Sequence, residues 1–310
     1  MANLTWPSLG VHQLQACARE AGFQVAILYM NALYAAMVDP VVYVALCNAP
    51  IHWLLGERLF ARAAYGSPPL GYRTEGFLAE VDNNNSGVSD PVDPSGAVFE
   101  GPNFQYDRDI LFRAEAHAFV LADGLAADIA ARGHRIVGAT TTFDQTSAGI
   151  ALLQRIKAAN PEAITVMGGA NCDQEMAEGV RSLTDAVDYV FSGESEAVFV
   201  PFLRACDAGE PPPTPIIRGT PCTDLDALPT TSFADYFAQI PPEFGDAPLW
   251  VAYETSRGCW WGAKQHCTFC GLNGLGMGFR EKSPDRVVEQ LRAILGEAPT
   301  HRVCMTDNIM

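Results

Sequence analysis

Short runs rich in Val, Ile, Ala and Thr alternate along the chain with longer segments whose apolar residues recur every three or four positions. This alternation constrains the fold most strongly, because it is typical of a parallel sheet whose strands are joined by helices. The strand candidates are residues 23–29, 135–141, 163–167, 187–191 and 215–218. The helix candidates are residues 9–21, 111–132, 146–159, 174–183 and 196–206. We therefore predict an α/β fold with helices on both faces of an open parallel sheet.

Breaks in this pattern predict two domains and a connector. A length of 310 residues corresponds to about two domains of ordinary size. We assign residues 1–206 to the first domain and interpret residues 66–108, rich in Gly, Pro, Asn and Asp, as a long loop inserted into it. The Pro-rich residues 207–248 are predicted to be a semi-rigid linker. Residues 249–310 read as a strand, a Cys- and Gly-rich loop, a helix that begins at Pro284 with Ser283 as its cap, and a second strand.

The last segment is short for the fold that it begins. Residues 249–310 number 62, whereas a closed barrel of parallel strands needs about 200 residues or more. We therefore expect the second domain to be truncated in this chain.

The charge balance excludes one class of partner. Lys and Arg number 20 and Asp and Glu number 36, for a net charge of −16, and such a chain repels the phosphates of nucleic acids. The most apolar stretch, residues 25–55, is cut by Asn31, by Asp39-Pro40 and by Asn48-Ala49-Pro50 into pieces shorter than the roughly 20 residues of a membrane span. No secretory signal is visible, so we expect a cytoplasmic protein without membrane contact.

Three of the nine cysteines form a motif. The odd count and loose spacing of the nine favour thiols or metal ligands in a reducing compartment over disulfides. Seven residues separate Cys259 from Cys267, and two separate Cys267 from Cys270. Three thiolates from one loop suit a [4Fe–4S] cluster with one iron left open. Structural zinc, which prefers four closed ligands, and unligated thiols are the alternatives that the spacing leaves open.

Motifs around these cysteines resemble those of the radical S-adenosylmethionine (SAM) C-methyltransferases that mature ribosomally made, post-translationally modified peptides. The usual first gap in the radical SAM superfamily is three residues, and the gap of seven is a mark of this family. The matching segments are ETSRGCWWG at 254–262, CTFCGLNG at 267–274, FREKS at 279–283, TDNIM at 306–310, GGANC at 168–172, DYVFSGE at 188–194 and LLGERLF at 54–60. The resemblance spans nearly the whole chain.

The resemblance implies a SAM site in a partial radical SAM barrel. Cys259, Cys267 and Cys270 would hold the cluster, and its open iron would hold SAM. Asp307 and Asn308, at the end of the second barrel strand, would contact SAM, with a plain strand-end turn as the alternative. Phe269 and Arg280 complete the predicted SAM site; Arg280 would pair with a carboxylate, unless it is an ordinary surface arginine.

The resemblance also implies that the first domain is a Rossmann-like cobalamin-binding fold. Such sheets bind ligands outside the carboxyl ends of their strands, where the strand order reverses. Glycine lets a bulky corrin approach the backbone, and Thr and Asn offer hydrogen bonds. The residues in that position are Thr141, Thr142, Gly168, Gly169, Asn171 and Gly193. A tight strand-to-helix turn is the alternative reading of Gly168-Gly169.

Two features depart from the family pattern. The chain has no Asp-x-His-x-x-Gly sequence to place a histidine beneath cobalt, and we interpret His134 as a solvated turn residue. Family members also carry an apolar strand before the segment that matches Pro7-Ser8-Leu9. We therefore expect a beginning upstream of Met1, with a differently built sheet as the alternative.

The reaction implied for the intact protein, rather than for the truncated chain alone, is cobalamin-dependent methylation of an unactivated carbon in a precursor peptide. Reductive cleavage of SAM would yield a radical that abstracts hydrogen from the peptide, and methylcobalamin would supply the methyl group. The implied partners are the precursor peptide and an electron donor such as flavodoxin or ferredoxin. The alternatives are a radical modification without net methylation, such as ring closure, and a catalytically inactive peptide-binding or zinc-stabilised module.

Overall fold

A four-stranded parallel sheet forms the centre of the protein, in a computed structural model that describes residues 2–84, 106–240, 248–270 and 277–309. Its strands are β1 (Ile136–Thr140), β2 (Ile164–Gly168), β3 (Tyr189–Ser192) and β4 (Ile216–Arg218), and they lie in the order β1-β2-β3-β4. All three pairings are parallel, with Val190 opposite Ile216 in the last of them. The predicted α/β class and the four strand candidates after residue 130 are confirmed.

Eleven helices accompany the sheet in the described residues. They are α1 (Leu9–Glu20), α2 (Met30–Val38), α3 (Pro40–Cys47), α4 (Leu55–Tyr65), α5 (Glu75–Asn84), α6 (Arg108–Ala131), α7 (Thr146–Ala159), α8 (Met176–Ser182), α9 (Glu196–Asp207), α10 (Ala234–Phe237) and α11 (Pro284–Glu297). The predicted helices in the first domain correspond to α1 and α6 to α9.

Alternate residues of the strands face two separate cores. Val166 of β2 and Phe191 of β3 pack against α1 and α9, where Phe202 is buried. Met167 and Val190, their neighbours along the strands, join the larger core that α4, α6 and α7 cover. Because successive side chains of a strand point to opposite faces, the sheet has helices on both faces, as predicted.

The predicted strand at residues 23–29 is wrong. This segment has no strand partner among the described residues, and side chains satisfy its backbone instead. The Gln15 amide donates to the carbonyl oxygen of Val25 at 3.0 Å, and the Gln239 amide donates to that of Ile27 at 2.8 Å. Backbone groups that are already paired in this way need no neighbouring strand.

The predicted loop at residues 66–108 is partly wrong, because it contains helix α5. Leu78 and Val81 of α5 are buried, and the Glu80 carboxylate accepts a hydrogen bond from the Trp53 indole at 2.9 Å. The helix was missed because it is short and the residues on either side of it are typical of turns. Residues 85–105 of the predicted loop lie outside the described residues.

The apolar stretch at residues 25–55 forms α2 and α3. Asp39 separates them, and its carboxylate caps α3 by accepting from the backbone N–H of Val41 at 2.8 Å. No single helix in the described residues is long and apolar enough to cross a membrane, whereas α2 and α3 reach that length only together and are bent by 118°.

Part of the predicted linker packs into the fold. Strand β4 is the edge of the sheet, and Tyr236 of α10 is fully buried with its hydroxyl donating to the carbonyl oxygen of Leu4 at 2.7 Å. Residues 241–247 of that linker lie outside the described residues. The boundaries of the two domains stay predictions.

A βαβ unit follows. Strands β5 (Val251–Tyr253) and β8 (Val303–Met305) are parallel neighbours, and α11 connects them. Ser283 caps α11 by accepting from the backbone N–H of Arg286, and Pro284 occupies its first turn, so the predicted start of this helix is confirmed. Between β5 and α11, the short strands β6 (Ser256–Arg257) and β7 (Arg280–Glu281) pair antiparallel.

A buried histidine makes the fold sensitive to acid. The His12 ring is fully buried, its Nε2 lies 2.9 Å from the Tyr29 hydroxyl, and burial lowers the pKa of His12 to about 4. The folded state therefore holds this histidine neutral, whereas the unfolded chain binds a proton near the ordinary pKa of 6.5. Stability is present above that ordinary pKa and is lost as the pH falls toward about 4.

We expect His12 to cost the protein about 2 kcal/mol of stability between pH 7 and pH 5. Denaturant unfolding at both values should show a smaller acid loss in His12→Gln than in the parent chain. His134→Gln, which changes an exposed histidine, is the control and should keep the parent's acid loss. Equal losses in all three proteins would contradict the assignment.

Candidate functional site

The three motif cysteines lie in the loop that β6 and β7 close at its base. Cys259 begins the loop: its backbone N–H donates to the carbonyl oxygen of Met277 at 3.2 Å, and its sulfur accepts from the N–H of Gly262 at 3.2 Å. The N–H of Cys270 donates to the carbonyl oxygen of Cys267 at 3.1 Å. All three side chains are half-exposed, and none forms a disulfide. Residues 271–276 of the motif lie outside the described residues.

The three thiols of this loop are chemically suited to an iron–sulfur cluster. Three thiols in one exposed loop are the soft ligands that such clusters use. In the described part of the chain, however, no group of three or more His, Cys, Asp or Glu side chains is arranged to hold a metal ion.

Asp307, a predicted SAM contact, holds the start of this loop. One carboxylate oxygen, Oδ1, accepts from the backbone N–H and hydroxyl of Thr255 at 2.9 and 2.7 Å and from the hydroxyl of Ser256 at 2.7 Å. The other oxygen, Oδ2, is buried and has no hydrogen-bond partner among the described residues. A buried acceptor without a donor is energetically costly. An N–H group of a ligand that donated to Oδ2 would remove this cost.

The other predicted SAM residues are placed differently. Phe269 is 90% exposed, and Asn308 is exposed beside Asp307. Arg280 does pair with a carboxylate, and the partner is Glu194 of the same chain, whose oxygens lie 2.8 and 3.0 Å from its guanidinium nitrogens.

Arg257 shares that carboxylate. Its guanidinium lies 2.9 Å from Glu194, 2.6 Å from Glu196 and 2.6 Å from Glu254. Burial alone would lower the pKa of Arg257, but the hydrogen bonds and charges of Glu254 and Glu196 outweigh it and raise that pKa. Burial likewise opposes the charged form of Glu194, but hydrogen bonds from Arg280, Cys222 and Arg257 outweigh it and lower the pKa of Glu194.

Sequence reasoning missed this ion cluster and one buried lysine. Glu194 lies more than sixty residues before Arg257, so no local spacing signals their contact. Lys282 is buried with its ammonium 4.6 Å from the centre of the Tyr253 ring, and burial lowers the pKa of Lys282. The sequence gives no sign of this burial, because a lysine between the end of β7 and the helix cap is typical of a surface position.

The predicted cobalamin residues meet at the carboxyl edge of the sheet. Thr141 is fully buried, and its hydroxyl accepts from the Asn171 amide at 3.2 Å. That amide also donates to the Thr142 carbonyl oxygen and to the Thr146 hydroxyl. Thr142, Gly169 and Gly193 are exposed along the edge, and Gly168 is half-exposed.

The glycines of this edge are required by contacts within the chain. Gly169 has φ +108°, and a Cβ there would lie 2.2 Å from the carbonyl oxygen of Thr141. Gly193 has φ +82° and faces the backbone of Gly219. The order of the four strands does not reverse, so the crevice that forms at a reversal does not lie between them. These residues therefore form tight strand-to-helix turns, and their use as cobalamin contacts stays a prediction.

No protein-family model matches the chain, and no curated protein matches it. The family assignment stays a prediction, carried by the motifs of the cysteine loop.

Proposed function

We propose that the protein is a radical SAM enzyme that methylates an unactivated carbon of a ribosomally made peptide with the aid of cobalamin. The single observation that carries the proposal is the position of the three-cysteine loop. It follows the first strand of a βαβ unit, and Asp307, just after the second strand of that unit, binds the start of the loop. Ligands of parallel α/β folds lie at this end of the strands.

The residues of the loop and its neighbours have different proposed roles. Cys259, Cys267 and Cys270 would hold the [4Fe–4S] cluster, which supplies the electron that cleaves SAM. Asp307 orients the first residues of the loop through Oδ1 and offers Oδ2 to the ammonium group of SAM. Arg280 is assigned to Glu194, not to SAM, because its guanidinium is already paired there.

Finer assignments extend the proposal. The βαβ unit is proposed to begin a radical SAM partial barrel, and the four-stranded sheet to belong to a Rossmann-like cobalamin domain. The ion pairs from Glu194 to Arg257 and Arg280 support the proposal that both parts serve one site, because they connect the edge of the sheet to the cysteine loop. A precursor peptide and a flavodoxin- or ferredoxin-type electron donor are the proposed partners, and the cytoplasm is the proposed location.

Release of 5′-deoxyadenosine tests the proposal without a known peptide. The full-length protein is purified without oxygen, reconstituted with iron and sulfide, and given SAM and dithionite; the 5′-deoxyadenosine released is measured by mass spectrometry. We expect release from the parent chain and from Cys17→Ser, and none from Cys267→Ser. An iron-loaded parent chain that releases no 5′-deoxyadenosine would overturn the proposal.

A second assay separates the outcomes on peptide. Reconstitution with hydroxocobalamin and desalting should retain cobalt. A candidate precursor peptide should then gain the mass of one methylene unit for each methyl group. Loss of two hydrogens would indicate ring closure, and iron without retained cobalt would contradict cobalamin-dependent methylation.

A further inference from the structure

Two arginines face each other at the base of the cysteine loop. Arg257 of β6 and Arg280 of β7 are register partners in the antiparallel pair. Like charges directly opposite each other destabilise such a pair. Glu196 and Glu254 pair with Arg257, but neither forms an ion pair with Arg280 in the described residues, so a further carboxylate is needed to stabilise Arg280 opposite Arg257.

Glu194 is that group. Its carboxylate accepts from Arg257 at 2.9 Å and from Arg280 at 2.8 and 3.0 Å. A fourth donor, the backbone N–H of Cys222, lies 2.8 Å away. The side chains of Arg257, Arg280 and Glu194 are 15, 14 and 23% exposed, so water screens their interaction only weakly.

The position of Glu194 connects two parts of the fold. It follows β3 at the carboxyl edge of the sheet, directly after the exposed Gly193. The segment between β6 and β7 carries all three motif cysteines, at residues 259–270. Fixing both ends of a loop reduces the conformations open to the residues within it.

We propose that Glu194 is a positioning residue that closes the base of the three-cysteine loop and fixes this loop against the carboxyl edge of the sheet. That this placement of the loop serves catalysis rests on the proposed function. The closing of the loop itself rests only on the register and the ion pairs.

Thiol labelling of the metal-free, reduced chain tests the proposal. Iodoacetamide is added, and the labelling rate of each cysteine is followed by peptide mass spectrometry. In Glu194→Gln we expect Cys259 and Cys267, half-exposed in the parent, to label at least about twofold faster, because a loop released at its base exposes both thiols more fully. Buried Cys172 is the internal reference and should keep its slow rate. Glu178→Gln, which breaks the exposed ion pair with Arg218, is the matched control and should label like the parent.

A double variant separates charge balance from simple packing. Glu194→Gln leaves Arg280 without a carboxylate opposite Arg257, which keeps Glu196 and Glu254, whereas adding Arg280→Gln removes this unpaired charge. We therefore expect the double variant to label Cys259 and Cys267 more slowly than Glu194→Gln alone. Equal or faster labelling in the double variant would overturn the proposal.

A conservative variant keeps the test valid if Glu194→Gln loses its fold, which fast labelling of Cys172 would reveal. Glu194→Asp keeps the charge and shortens its reach, so Cys259 and Cys267 should label faster than in the parent while Cys172 stays protected. Parent-like rates in Glu194→Asp would overturn the proposal.

Iron content, measured separately after reconstitution, distinguishes the two proposals. A chain that takes up no iron but shows the expected labelling contradicts the proposed function alone. A chain that takes up iron while Glu194→Gln labels like the parent contradicts the role of Glu194 alone.

Discussion

Replacing Gly169 with alanine is expected to lower the free energy of unfolding by at least about 3 kcal/mol. Gly169 has φ +108° and ψ −179°, a conformation that is essentially confined to glycine. The new Cβ would also lie 2.2 Å from the carbonyl oxygen and 2.9 Å from the nitrogen of Thr141. Both atoms belong to backbone, so they cannot move aside without disturbing the junction between β1 and β2.

Gly133→Ala is the matched control for this change. Gly133 has φ +68°, and a Cβ there meets no atom within 4 Å, so its replacement costs only the left-handed conformation, about 1–2 kcal/mol. Urea unfolding of both variants measures the difference. Equal losses in the two variants would show that the contact with Thr141 does not constrain Gly169.

Replacing Arg257 with methionine is expected to cost about 3–5 kcal/mol, the range for breaking a buried ion pair by removing one partner. Methionine keeps most of the apolar stem but leaves the carboxylates of Glu196 and Glu254 without their shared cation. These side chains are 12 and 13% exposed, so water compensates them poorly.

Arg218→Met is the control for Arg257→Met. Arg218 pairs with Glu178 at 2.8 Å, but both side chains are more than half exposed, and such surface pairs contribute about 0–1 kcal/mol. Denaturant unfolding at neutral pH compares the two. A loss in Arg257→Met no larger than that in Arg218→Met would contradict the stabilising role of the ion cluster.

Local patterns predicted the parts of the fold that local interactions specify. The apolar spacing of residues 146–159 gave the bounds of α7 without error, and Ser283-Pro284 marked the start of α11, because a cap and a first turn involve only neighbouring residues. The segment at residues 23–29 has a strand-like alternation, but Gln15 of the preceding helix and Gln239, more than two hundred residues away, satisfy its backbone. That competition is not visible in the segment itself.

The candidate site divides in the same way. The spacing of Cys259, Cys267 and Cys270 lies within one loop and was legible from the sequence. Arg280 was expected to meet a carboxylate, but its partner Glu194 comes from the other part of the fold, and no spacing rule connects residues so far apart. The predicted ligand contact of Gly169 stays a prediction, and the Thr141 backbone, which an added Cβ would meet at 2.2 Å, is a constraint that no local spacing signals.

The central claim is that the three motif cysteines bind one iron–sulfur cluster, and metal content per chain tests it most directly. The chain is reconstituted without oxygen, desalted and analysed for iron and zinc, with Cys259→Ser, Cys267→Ser, Cys270→Ser and the control Cys17→Ser treated alongside. We predict about four iron atoms per chain in the parent and in Cys17→Ser, and loss of iron in each of the three motif variants. Zinc in place of iron, or iron that persists in the motif variants, would contradict the claim.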